Sequence, residues 1–130
     1  MLTMNQKQDV RSQQRFENFK RVMKLKRVNP SLKIPGIPDE YAEQILNLFK
    51  PLPKGAELVL FGSRAKGNAR EGSDIDVAIK GTSVNLEDRD KWLLKYDDLN
   101  LPWKLDLVVY KLIKEPAFKE HIDRVGIRIL

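Results

Sequence analysis

Two short stretches, "SDIDVAIKG" (residues 73–81) and "WKLDLVVY" (residues 103–110), constrain this chain more than anything else in it. Both alternate acidic and apolar residues with a period of two, the repeat of a β-strand whose successive side chains point to opposite faces. In the first, Asp74, Asp76 and Ala78 share one face while Ile75, Val77 and Ile79 share the other. In the second, Leu105, Leu107 and Val109 fall on one face and Asp106 on the opposite one. A carboxylate set into strand sequence resists losing its water, and two on one face repel, so folding alone does not explain their placement. At about 3.3 Å rise per residue, Asp74 and Asp76 project together roughly 6–7 Å apart, a spacing that favours a shared proton or a bound cation. If the two strands lie side by side with their apolar faces toward the same helices, Asp106 joins the pair.

The elements around these strands read as alternating helices and strands. "PDEYAEQILNLFK" predicts a helix with Pro38 at its start, Asp39 and Glu40 complementing its N-terminal end, and a buried stripe of Tyr41, Ile45, Leu48 and Phe49. "AELVLFG" predicts a strand. "NLEDRDKWLLKYDDL" predicts a helix with Leu86, Leu93 and Leu94 at helical spacing, and "PAFKEHIDRVG" one that buries Phe118, Ile122 and Val125. "IRIL" completes the chain as an edge strand. Trp92 and Trp103 are assigned to packing and His121 to a solvated helix surface. The order implies an α/β (α+β) fold with a small mixed β-sheet backed by helices.

Composition narrows the chemistry. With 130 residues there is room for one domain, and with no cysteine there is neither a disulfide framework, a thiolate zinc site nor a cysteine nucleophile. No apolar run resembles a signal peptide or is long enough to cross a membrane, so a cytoplasmic location is expected. The net charge of +6 is unevenly placed: residues 1–35 hold nine Lys/Arg against Asp9 and Glu17, and the rest of the chain is nearly neutral. Nucleic-acid binding is therefore expected only weakly, through residues 1–35. Within that segment, residues 9–28 predict a helix with Phe16, Phe19, Met23 and Val22 near one face. "NPSLKIPGIP" follows as a linker. The expected division is a basic helical extension with a Pro-rich linker over 1–37 and a domain over 38–130.

Three carboxylates on one sheet face would hold two Mg²⁺ ions, the clamp used in phosphoryl and nucleotidyl displacements. The turn before the first acid pair fits that chemistry. Gly62 allows a close bend after the strand ending at Phe61, and Ser63 offers a hydroxyl and an amide to phosphate oxygens. Arg64 and Lys66 add charge for a triphosphate, and Gly67, Gly72 and Ser73 keep the connection tight.

"GSRAKGNAREGSDIDVAI", followed some thirty residues later by "LPWKLDLVVY", closely resembles the minimal nucleotidyltransferases (the MNT group) of the DNA polymerase beta superfamily, over about residues 38–130. The matching positions are Gly62, Ser63, Asp74, Asp76 and Asp106. The resemblance implies Asp74, Asp76 and Asp106 as metal ligands and catalytic residues, with Asp106 also taking the acceptor's proton. Gly62, Ser63 and Arg64, with Lys66 and Ser73, would be nucleotide-binding. It further implies an antitoxin that moves AMP from ATP to a tyrosine of a neighbouring-gene HEPN ribonuclease toxin. Alternatives are a non-catalytic antitoxin that neutralises by complex formation, or nucleotidyl transfer to a small molecule. Residues 1–35 depart from the group's pattern. They resemble the opening helix of some HEPN-type proteins, and would serve either as a contact with the partner or a second copy, or as a basic tail.

Overall fold

The structure, a computed structural model, describes Arg15 and residues 33–130. The helix expected over 9–28 lies outside the described residues apart from Arg15, which is helical, exposed and ion-paired with Asp97.

Pro38 caps helix α1 (Asp39–Leu48), whose first turn carries Asp39 and Glu40 against the helix's positive end. Strand β1 (Glu57–Phe61) leads directly into the short helix α2 (Gly62–Lys66), and a loop returns the chain along β2 (Ile75–Lys80). Helix α3 (Leu86–Asp98) begins with a reciprocal cap: the Asp88 amide donates to the Asn85 side chain at 2.9 Å and the Asn85 amide donates to the Asp88 carboxylate at 3.0 Å. Strand β3 (Leu105–Val109), a single 3-10 turn, helix α4 (Pro116–Val125) and the two-residue strand β4 (Ile127–Arg128) complete the chain.

The sheet is mixed, as its alternating elements imply, in the order β3-β2-β1-β4. β1 runs antiparallel to β2 and β4, whereas β2 and β3 are parallel, joined by the α3 crossover. One face, carrying Leu58, Leu60, Ile75, Val77, Ile79, Leu105 and Leu107, packs beneath α1 and α3 in the main core. Ring pairs fasten the layers: Phe49 lies 5.5 Å from Trp92, and Tyr41 meets Trp103 edge-on at 6.1 Å. On the opposite face a smaller cluster of Val59, Phe61 and Ala78 is covered by Ile122 of α4, with Phe118 and Val125 beside it.

Three expectations change. Leu94 is 69% exposed and Leu86 48%, while Trp92 and Tyr96 take the buried side of α3. The helix has leucines on more than one face, and the larger rings, which meet Phe49 and the Trp103 carbonyl, settle which one turns inward. Leu48 is half-buried, with Ala42 and Leu46 entering the core alongside Tyr41, Ile45 and Phe49. The segment before α1 is also no mere spacer: Ile34 and Ile37 are fully enclosed in the main core, so the packed unit reaches back to Ile34. Prolines stop a helix there without preventing burial.

Candidate active site

The backbone sets two of the three acids side by side. In the parallel β2–β3 ladder Asp76 lies directly opposite Asp106, and across the antiparallel ladder its partner is Phe61. Phe61, Asp76 and Asp106 therefore form one row on the sheet face opposite the main core. Asp74 immediately precedes β2 and shares the side of Asp76, and the Ile75 amide extends the ladder by donating to the Lys104 carbonyl at 2.9 Å. The next row inward, Val59, Ala78 and Val108, is apolar and lies beneath α4.

Asp76 is half-buried, and Asp74 and Asp106 are exposed. Burial is the first cause that pushes the Asp76 carboxyl above the usual carboxylate range; the charges of Asp106 and Asp74 add to it, and Arg64 and Lys104 pull the other way. Among the described residues, none of the three carboxylates has an ion pair or side-chain hydrogen bond, and no three acidic or histidine side chains close on a common point. The acids share a face, as the alternation along the two strands implies. Their donors are all carboxylate oxygens, and Arg64 and Lys104 offset their charge only in part, which suits a hard cation such as Mg²⁺.

Gly62 supports this row from below. It sits at φ 75°, a conformation that side chains disfavour, and a Cβ built on it would lie 2.2 Å from Oδ2 of Asp76. The Asp76 carboxylate thus rests on the bare Gly62 backbone. Ser63 is half-buried in the first turn of α2; its carbonyl accepts from the Asn68 amide, and its hydroxyl has no partner among the described residues.

The other expected phosphate ligands lie differently. Lys66 is exposed in the last turn of α2. Ser73 closes a turn: its amide donates to the Arg70 carbonyl at 3.0 Å and its hydroxyl accepts from the Arg70 amide at 2.8 Å. Arg64 is not available to a triphosphate. It is 3% exposed, and its guanidinium donates to the carbonyls of Pro35 at 2.9 Å and Ser73 at 2.7 Å. Lys104 was missed by the sequence reading. It stands two residues before Asp106, on the same strand side, and its charge acts on Asp76. The period of two that picked out Asp106 was the signal that could have found it.

Residues 42–127 match the family described as Nucleotidyltransferase domain. The chain belongs to that family. Over 70 residues this nucleotidyltransferase domain is 36% identical to the probable protein adenylyltransferase MntA of Haemophilus influenzae, covering 53% of this chain and 60% of that protein. Over 78 residues it is 32% identical to a putative protein adenylyltransferase of Methanocaldococcus jannaschii, covering 58% of this chain and 78% of that one. The chain thus spans about 60% of the length of the first relative. Two crystal structures share the fold. A toxin–antitoxin with AMP-PNP superposes at a TM-score of 0.55 with 21% identity, over 68% of this chain and 71% of that one. A mutant toxin–antitoxin MntA-HpeT does so at 0.53 with 19% identity, over 68% and 70%. The resemblance to polymerase beta-type nucleotidyltransferases therefore holds for family and fold, and the chain is a distant homologue of the MntA-type adenylyltransferases. Among the described residues no helix is long and apolar enough to cross a membrane.

Proposed function

We propose that this nucleotidyltransferase moves AMP from ATP to a tyrosine hydroxyl of a HEPN ribonuclease toxin and so acts as its antitoxin. The observation that carries the reading is the row in which Asp76 faces Asp106 across adjacent parallel strands, one residue position from the Gly62–Ser63 turn. Two relatives bear names of protein adenylyltransferases, and the structures sharing the fold are toxin–antitoxin complexes, one with an ATP analogue. These support the acceptor class and the nucleotide.

In this reading the acceptor oxygen bonds to the α-phosphorus of ATP as the bond from that phosphorus to the bridging oxygen breaks, and pyrophosphate leaves. Asp106, exposed at the margin of the sheet, takes the hydroxyl proton. Gly62 and Ser63 hold phosphate oxygens through an amide and the uncommitted hydroxyl, and Lys104 adds positive charge at the same margin. Asp74, Asp76 and Asp106 would hold two Mg²⁺ ions, which supply the charge that offsets the phosphate oxygens.

The test is incubation of the full chain with α-labelled ATP and a purified HEPN ribonuclease as the candidate acceptor. Label is expected on a tyrosine of the partner, only with Mg²⁺, and is expected to be lost in Asp76→Asn and Asp106→Asn. Undiminished labelling by both variants would overturn the assignment. A partner that is silenced equally well by Asp76→Asn, without label, would make the protein a binding antitoxin instead.

A further inference from the structure

Arg64 is the only charged residue enclosed in the core among those described, and its surroundings explain why. Burying a guanidinium costs several kcal/mol unless acceptors and opposite charge meet it. Its two hydrogen bonds reach segments far apart in sequence. One acceptor is the carbonyl of Pro35, between the core-buried Ile34 and Ile37. The other is the carbonyl of Ser73, the residue directly before Asp74. The segment is drawn tightly against the guanidinium: Gly36, at φ 82°, would place a Cβ 2.6 Å from Nη1 of Arg64. The charge of Arg64 also faces Asp74 and Asp76.

We propose that Arg64 is the positioning residue of the transfer site, tying the segment before α1 to the loop that presents Asp74, so that residues 34–37 are part of the site's scaffold. The inference rests on the transferase reading for what Asp74 does, but the tie itself is independent of it. With both Nη groups committed to carbonyls and almost no exposure, Arg64 acts on the phosphates through the loop and not by touching them. Lysine is a poor substitute, since one ammonium cannot span two carbonyls in the way a planar fork does.

The full chain is compared with Arg64→Lys, Arg64→Met and Gly36→Ala. Three quantities are read: amide hydrogen exchange over residues 68–76, Mn²⁺ affinity by electron paramagnetic resonance, and kcat and KM for ATP. For Arg64→Lys and Gly36→Ala, exchange over 72–76 should quicken by about tenfold while α3 keeps its protection. Mn²⁺ should bind several-fold more weakly, and kcat should fall with KM for ATP within about twofold. Arg64→Met also removes the buried charge; loss of α3 protection there would mark global unfolding, and the other two variants carry the test. The proposal is overturned if Arg64→Lys raises KM for ATP about tenfold or more with kcat and exchange unchanged, since that is the behaviour of a direct phosphate ligand. It is equally overturned if Arg64→Lys and Gly36→Ala keep wild-type exchange and Mn²⁺ affinity. A wild-type chain that labels no acceptor, with exchange and Mn²⁺ affinity responding as described, removes the AMP-transfer reading and upholds the tie.

Discussion

Replacing Asp76 by Asn should abolish transfer and, in the same stroke, make the metal-free protein more stable. Asp76 is half-buried on a sheet face beside Asp106 on the adjoining strand, with Asp74 two residues before it. Strands lie about 4.8 Å apart, so two ionised carboxylates at that separation repel by roughly 1 kcal/mol at the dielectric of water and about 3 kcal/mol at an effective value of 20. Asp106 is exposed, and Arg64 and Lys104 offset part of the repulsion, which puts the net effect near the screened end, on the order of 1 kcal/mol. Asn keeps the shape and removes the charge, so the gain should appear as a midpoint about 5 °C higher.

The pH dependence fixes the cause. Burial, then Asp106 and Asp74, raise the folded carboxyl above its ordinary value of 3.8, so the native state binds the proton more tightly than the unfolded chain does. A group of this kind loses stability as pH rises from the ordinary value through its raised one. Below 3.8 both states are protonated and the advantage of Asn should vanish. Denaturant titrations of wild type and Asp76→Asn, in chelator, at neutral pH and near pH 3 measure this directly. Added Mg²⁺ should stabilise the wild type more than the variant. If Asp76→Asn is no more stable than wild type at neutral pH in chelator, or if its advantage is as large near pH 3, the three acids do not strain one another and the electrostatic reasoning fails.

Gly62→Ala should cost several orders of magnitude in transfer rate, because the new Cβ would lie 2.2 Å from the Asp76 carboxylate at a backbone φ of 75°; a kcat within a few-fold of wild type would count against the contact. Trp92→Ala, which empties a buried position against Phe49, should lower stability by about 3–5 kcal/mol in denaturant titrations without displacing Asp76. On α4, the hydrogen bond from Lys80, and then that from Tyr110, hold the Asp123 carboxyl below the usual carboxylate range. Its contribution is present above that range and lost as pH falls through it, so Asp123→Asn should flatten the acid limb of the stability curve; an unchanged limb would assign that limb to other groups.

How much of this was legible in the sequence follows from the range of each interaction. The strands and the shared face of Asp74, Asp76 and Asp106 could be read because side-chain alternation is a property of neighbours in the chain. The pairing of Asp76 with Asp106 was accessible only as a condition, since register depends on which hydrophobic faces meet. Ile34 and Ile37 looked like parts of a linker because proline marks the end of a helix whether or not the chain beyond it is buried. Leu94 looked like core because spacing alone does not rank faces by the bulk of their rings. Arg64 was misplaced for a related reason. A cation after Gly-Ser suggests a phosphate, but its acceptors lie 29 and 9 residues away, and nothing local announces them.

The position of the acid row relative to α4 ties these observations together. Moving outward along the second face, the row of Val59, Ala78 and Val108 is covered by Ile122, and two residues later the row becomes Phe61, Asp76 and Asp106. Phe61 still belongs to the covered part, with Phe118 packed edge-on against it at 5.7 Å. Asp76 therefore stands at the rim of the small core, which is why it is half-buried. One row inward its charge would be sealed from any ligand beneath α4 and would favour protonation; on an open surface, water would screen it and leave little pull on a cation. The rim gives an ionisable group enough enclosure to make its charge count and enough access to let a ligand neutralise it. The short α4 thus does more than close the sheet: its extent sets where apolar packing stops and charged chemistry begins.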